Sequence, residues 1–539
     1  MPQITVRRAA PAALLGLVAG VLSGCATEAP VAPAGLITGS PRPISPADEP
    51  PPTRGDLLTR KRIPGWTPQE PSTERGEGVG FEGIPGSGWY PPDSALAVGA
   101  AHLVAIVNGQ VAFFEKDGTN LLRQTIAGPS GFWAERGAGQ FVFDPEALYD
   151  PHHDRFWLVA CEQTGASGHF TLAASATSSA AGAWHKHRID VTDIGGADVD
   201  SPNIAAAPTE LVISADFEAG GDRTLVYILP TQPLLDGEPL PAAQHLILHG
   251  VRGAALVARP DTSASAQYLL EAGRAETASA VTLHAVQSGA SSPAHTALQI
   301  SVPEFRQPGR PTQAGSAVTF NLYDARFWTA TLRQGSIWAA HAVRPVASPR
   351  TVVRWYEFRL NGWPGGGAPS LRQWGEIDPG GDDHAYCPSI TADAEGNAAL
   401  TYTRSGPQAY PAMWSAERRW LDPLGTLRQP ALIRDSSSPF TVYDRWGDYS
   451  TTAADPADPC AFWGHSEWTT STHDWRTWIA RYENHPAADA NLDCHLNVAD
   501  FSAFLVLYAA GDPRADMDQS GNLNVADFGE FLAAYASRR

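Results

Sequence analysis

Lysine is nearly missing from this chain: among 539 residues only Lys61, Lys116 and Lys186 carry it. Acidic residues outnumber basic ones 57 to 38, for a net charge of −19. Phosphate binding needs clustered cations, so a nucleic-acid partner is excluded. A sustained apolar stripe of helical period is missing from residues 79–484, which excludes a helical body. No GxSxG, HExxH, P-loop or GxGxxG occurs, so no such signature assigns an activity. Cysteine is sparse, with five in all, and no CxxC or Cys/His cluster suggests zinc.

The N-terminal "MPQITVRRAAPAALLGLVAGVLSGC" sets Arg7 and Arg8 before an apolar run, Ala9 to Leu22, and small residues before Cys25. The run is short for a membrane span and has the flanks of a secretory signal. Leu22-Ser23-Gly24-Cys25 resembles a bacterial lipobox. That resemblance implies lipidation of Cys25 and an exported protein held at the outer membrane or cell surface. An ordinary signal peptide, giving a secreted protein, is the alternative. Residues 1–25 are read as the signal, and 26–78, Pro-rich and without apolar period, as an extended tether. The membrane is met through the lipid anchor only. Export permits disulfides, but Cys161, Cys387, Cys460 and Cys494 allow three pairings, and no spacing selects one.

Residues 79–484 are dense in Trp, Tyr, Phe, Val and Thr, in short runs between Gly, Pro and Asp turns. That pattern predicts an all-β body. One phrase recurs: a polar opening, a short apolar strand, a turn and a second apolar strand. It is seen around Ser94, Glu146, Ser201, Ser389 and Ser450, at spacings of 52, 55 and 61 residues where copies adjoin. Two fainter copies, "RGAALVARPDTSASAQYLLEAG" and "DARFWTATLRQGSIWAAHAV", fill the gap between Ser201 and Ser389. About 60 residues suits a four-stranded blade with its loops, so the reading is a seven-bladed β-propeller. After Ser450 only three strands remain before the C-terminal segment. The fourth must come from "GVGFEGIPGSGWY", just before Pro91.

The phrases "PPDSALAVGAAHLVAIVNGQVAFFEKDG", "DPEALYDPHHDRFWLVA" and "RWGDYSTTAADPADPCAFWGHSEW" resemble a family of exported bacterial β-propeller proteins, most of which lack an assigned activity. In a propeller the residues before each inner strand gather at one mouth of the channel. Here they are Asp93, Asp144, Asp200 and Asp448, with Arg445, Trp446, Asp383 and His384 close by. Such a set could bind a cation or a glycan, or run acid/base hydrolysis. The same aspartates could equally cap turns by accepting backbone N–H bonds. His152 and His153 offer a metal-ligand pair or an ordinary hairpin turn.

Residues 485–539 repeat themselves: "NLDCHLNVADFSAFLVLY" and "DQSGNLNVADFGEFLAAY" align without gaps. Oxygen side chains fall at loop positions 1, 3, 5, 9 and 12: Asp489, Asn491, Asp493, Asn497 and Asp500, then Asp516, Asp518, Ser520, Asn524 and Asp527. The position-7 carbonyls come from His495 and Asn522. This alternation bends one loop around calcium. Gly521 suits the left-handed turn at position 6; Cys494 in the first copy does not, so the first site is expected to be the weaker. Cys494 could also be a free thiol. Each loop runs into a helix striped by Phe501, Phe504, Leu505 and Tyr508, or by Phe528, Phe531, Leu532 and Tyr535. Two such stripes can bury only against each other. The segment resembles a dockerin type I module, an EF-hand-like pair of calcium loops. That implies two Ca²⁺ ions and docking to a cohesin-like domain through positions 10 and 11, here Val498-Ala499 and Val525-Ala526. A calcium-stabilised cap without such a partner is the alternative.

The sequence therefore points to an exported binding platform with a calcium-dependent docking module. Its rival is a glycoside hydrolase or polysaccharide lyase working at the channel mouth in polysaccharide breakdown.

Overall fold

Each short apolar run between Gly, Pro and Asp turns becomes a strand, and consecutive strands pair as antiparallel hairpins. The structure, a computed structural model, describes residues 7–8, 80–217, 219–261, 264–517 and 520–536. The lipobox with Cys25 and the tether lie outside them; of the leader only Arg7–Arg8 is described, paired with Trp89–Tyr90. The body consists of five four-stranded sheets and one eight-stranded sheet. In each, a short inner strand leads outward through successive hairpins.

The inner strands are Ala95–Val98, Val142–Asp150, Val199–Ala206, Ala255–Ala258, Ala330–Arg333, His384–Ala392 and Thr451–Ala454. They neighbour one another in this order, and the last packs against the first. Sheets radiating from a closed ring of inner strands make a β-propeller. The two faint sequence copies supply the inner strands Ala255–Ala258 and Ala330–Arg333. These pair in parallel, Val257 with Ala330, and so join two four-stranded units into the eight-stranded sheet.

Closure uses the strand that the sequence requires. Gly80–Pro85 pairs antiparallel with Asp474–Glu483 and completes the last sheet. Ile84 N donates to Thr477 Oγ1 at 2.7 Å across that seam. Lys116 of the first sheet reaches Asp455 of the last at 2.6 Å. Neither end of the ring is thus left with an open edge to recruit another chain.

The repeated phrases have a common physical content. Asp150 and Asp455 each end an inner strand, accept a backbone N–H two residues on, and accept an indole N–H from Trp157 at 3.3 Å and Trp463 at 2.8 Å. Asp393 caps the equivalent turn, accepting from Glu395 N and Asn397 N, both at 2.9 Å. At the other end of the inner strands a bulge recurs, with Asp144, Ser201 and Cys387 at φ 49°, 48° and 48°. Each bulge breaks the pairing register at the start of its inner strand and re-aims the side chains there.

Candidate functional site

The bulges place Asp93, Asp144 and Asp200 beside one another at one end of the channel. All are buried, as are Asp448, Arg445 and Trp446. Asp144 is hydrogen-bonded through its side chain to both Asp93 and Asp200. Arg445 pairs with Asp448 and with the Tyr323 hydroxyl, its guanidinium 3.9 Å above the Tyr323 ring. Trp446 faces away from the channel and packs with Phe320 and Phe440, each centroid 5.5 Å away.

These aspartates stitch neighbouring sheets together. Asp144 Oδ2 accepts from Ser201 N at 3.2 Å, and Asp93 Oδ1 accepts from Asp448 N at 3.3 Å. Asn108 donates to Asp93 Oδ2 at 2.6 Å and accepts from Asp144 N at 2.8 Å. Asp216, which the sequence reading passed over, does the same at the next seam, accepting from Gly253 N at 2.7 Å. Burial, and then the like charges of Asp200 and Asp93, push the Asp144 carboxyl well up. Burial also raises Asp93, against the pull of Arg445. Three buried carboxyls side by side thus disfavour full ionisation of the cluster, most of all at Asp144.

A long strandless segment, 307–329, shuts this end from water. Gln313 donates to Phe440 O at 2.7 Å and accepts from Phe440 N at 2.8 Å, while Arg310 pairs with Asp444 at 2.8 Å. Asp383 and His384 stand apart from the aspartate cluster: Asp383 pairs with Arg404 at 2.7 Å, and His384 Nδ1 accepts from Thr351 N at 3.2 Å. His152 and His153 serve the hairpin, reaching Arg259 O at 2.9 Å and Asp150 Oδ2 at 2.7 Å.

The channel opens at its other end into a cavity of about 170 Å³, walled by all the inner strands. Trp328 and Tyr449, in edge contact at 4.9 Å, lie between the two ends. The polar groups of the cavity include Glu146, Arg259, Arg333, Asn203 and a ring of Ser and Thr hydroxyls, among them those of Ser389, Thr391 and Thr452. Burial pushes Glu146 up to about 8, so it stands protonated at neutral pH and can donate a hydrogen bond. Sequence reasoning used Glu146 to mark a repeat and missed it as a lining group. The sequence signal was weak, since successive residues of a strand face opposite sides and the bulge before Glu146 resets that alternation.

In the C-terminal segment, helices Val498–Ala510 and Val525–Ala536 pack face to face, with Phe504 and Phe531 stacked at 4.1 Å. Phe501, Tyr508, Phe528 and Tyr535 join that cluster. Leu505 and Leu532 do not belong to the buried face; both are exposed. They stand at the edge of each stripe, beyond the reach of a single partner helix. Carboxylate oxygens of Asp489, Asp493 and Asp500 lie within 4.8 Å of one another, so positions 1, 5 and 12 of the first loop share a centre. Asn491 Nδ2 donates to Asp493 Oδ2 at 2.8 Å, and Asn497 Nδ2 to His495 O at 2.8 Å. In the second loop Asp516 accepts from Ser520 N at 3.0 Å and Gly521 N at 2.7 Å. There Asn524 Nδ2 donates to Asn522 O at 2.9 Å, and Asp527 Oδ2 accepts from Asn524 N at 2.8 Å. Asp518 lies outside the described residues.

Cys494 has φ 64°, the left-handed turn that Gly521 takes at φ 80°. It is not a free thiol: it is disulfide-bonded to Cys460, which precedes strand Ala461–Ser471 of the last sheet. Cys161 and Cys387 are buried and unpaired. Cysteine thus stands at position 6 to tie the loop to the propeller, a reason that loop chemistry alone could not suggest.

No family model and no curated protein matches the sequence. Solved structures similar to it include the β-propeller domain of Vanderwaltozyma polyspora Nup133 (9% identity, 77% of this chain and 100% of that chain, TM-score 0.39). Others are an endo-arabinase from Bacteroides thetaiotaomicron VPI-5482 (10%, 67% and 100%, 0.29) and an exo-β-1,3-galactanase from Phanerochaete chrysosporium (11%, 60% and 76%, 0.29).

Proposed function

We propose that the chain is a binding protein: a seven-bladed propeller, counting the eight-stranded sheet as two blades, that carries a calcium-organised docking module. The observation that carries this reading is the pairing of Val498 and Val525. They stand at position 10 of the two loops and are 75% and 82% exposed, on helices whose aromatic faces are spent on each other. Two matched apolar residues left in water on a small module are what a docking face requires. Calcium would be held by Asp489, Asn491, Asp493, Asn497 and Asp500 and by their counterparts in the second loop, with the carbonyls of His495 and Asn522, and would set the angle of both helices. The propeller cavity would take a small polar ligand, a glycan unit being the best match to its hydroxyls and to Trp328.

The cavity geometry favours binding over hydrolysis. Among its lining residues Glu146 is the one carboxylate, whereas glycoside hydrolysis by the usual route uses two. The other carboxylates sit beyond the Trp328–Tyr449 pair, sealed by residues 307–329. Immobilised cohesin domains, measured by interferometry against the intact protein, test the docking reading. Binding is expected in calcium, with at least about a tenfold loss for Val498→Asp with Val525→Asp, each apolar anchor being a hot spot. Equal binding by that variant, or none by the calcium-loaded protein, contradicts it.

A further inference from the structure

Cys460, His485, Asp489 and Cys494 are too scattered in sequence to read as a ligand set. The fold nevertheless brings one donor atom of each within 4.8 Å of all the others. His485 Nδ1 lies 2.9 Å from Asp489 Oδ2 and 3.4 Å from Cys494 Sγ, and Cys460 Sγ lies 4.0 Å from Asp489 Oδ2. We propose that this cluster is a redox-gated zinc site: the disulfide closes it, and reduction by a dithiol opens it to Zn²⁺.

A zinc ion takes sulfur at about 2.3 Å and nitrogen or oxygen at about 2.0–2.2 Å, so a tetrahedral shell has edges of roughly 3.3–3.8 Å. The His–Asp, His–Cys and Cys–Asp separations lie close to those edges already; only the two sulfurs must part, and reduction parts them. Two thiolates with an imidazole suit zinc and disfavour calcium or magnesium. The support behind the histidine is also present. His485 Nε2 lies 3.3 Å from Glu483 Oε2, so the ring has a carboxylate to fix its orientation while Nδ1 faces the site. Cys460 and Asp489 are buried, while His485 and Cys494 are half-exposed, which leaves an approach from solvent.

The chemistry balances. The disulfide takes two electrons and two protons from the dithiol, which leaves as its own disulfide, and both thiol protons are released as the zinc–sulfur bonds form. The ligands come from both sides of the seam, so zinc replaces the disulfide as the tie between propeller and module. Asp489 is also position 1 of the first calcium loop, so zinc there takes that oxygen from calcium and leaves the second loop untouched. This last clause rests on the calcium reading; the zinc site does not.

Cobalt(II), titrated into the intact chain in calcium-free buffer after reduction with dithiothreitol and its removal, tests the site. One equivalent is expected to give the intense visible bands of a tetrahedral ion and thiolate-to-cobalt charge transfer, both bleached by Zn²⁺. The oxidised chain is expected to give neither. Cys460→Ser with Cys494→Ser should lose the charge-transfer band, and Cys161→Ala with Cys387→Ala should keep it. His485→Gln, outside the cores, and Glu483→Gln should each weaken cobalt binding by about tenfold or more. A reduced chain with native near-ultraviolet dichroism that gives only the pale spectrum of octahedral cobalt overturns the proposal. So does charge transfer that survives the Cys460/Cys494 double replacement, or His485→Gln binding cobalt as tightly as the parent.

Discussion

At the scale of single residues, the carboxyls at the inner strands, Asp144 buried and Glu146 half-buried, set much of the pH behaviour that can be tested. Glu146 and Asp144 are held above their ordinary values by burial, Asp144 further by Asp200 and Asp93. A raised folded value means that the native state binds a proton the unfolded chain has already lost. Their stabilisation is therefore complete below the unfolded value and declines as pH rises, for Glu146 between 4.5 and about 8. Asp144→Asn keeps an acceptor for Ser201 N and a donor for Asp93 or Asp200 with no proton to lose. That variant is expected to lose less stability than the parent as pH rises above the ordinary carboxylate range, as read by thermal melting. Asp144→Ala leaves Ser201 N unpaired and is expected to cost roughly 1–3 kcal/mol. The aspartates were visible in the sequence as strand openers. Their burial was not, because the contacts over them, such as Tyr323 against Arg445, join residues 122 apart in the chain.

At the scale of elements, strand and helix were legible wherever a period was strong. The hairpins around Glu146 and Ser389 and both C-terminal helices follow their apolar patterns, and the faint copies near Ala255 and Ala330 follow theirs. Hidden were the tie Cys460–Cys494, whose partners are 34 residues apart, and the role of Lys116, one of three lysines, as a bridge from first sheet to last. A disulfide closing a loop of that length stabilises by roughly 3–4 kcal/mol in the chain-entropy account. Cys494→Ser is thus expected to loosen the C-terminal segment first, seen as faster amide exchange in 485–536 with exchange in the propeller strands unchanged. Phe504→Ala removes a ring stacked on Phe531 and should cost about 3–5 kcal/mol. Its signature is proteolytic cleavage confined to the same segment. Cleavage spread through the propeller strands would show that the two units do not melt separately.

At the scale of the whole molecule, three histidines oppose the carboxyls, His341 and His465 fully buried and His384 half-buried. Burial pushes His341 and His465 down to about 3 and His384 down to about 4. Each takes a proton in the unfolded chain, from 6.5 downward, that it cannot take when folded, so stability is lost as pH falls toward those values. The two groups of residues pull in opposite directions between 4.5 and 6.5, and calorimetry should show a broad maximum there with a decline on either side. A steady rise from pH 4 to pH 9 would contradict the burial of both groups.

The most direct measurement is a calorimetric calcium titration of the intact, metal-stripped protein. Two binding events are expected, the weaker lost in Asp500→Asn and the tighter in Asp516→Asn. The first loop is expected to be the weaker because Cys494 carries a Cβ in the left-handed turn and His485 lies 2.9 Å from Asp489 Oδ2. An isotherm that shows no calcium uptake, or one unchanged when both aspartates are replaced, would contradict a calcium-organised module.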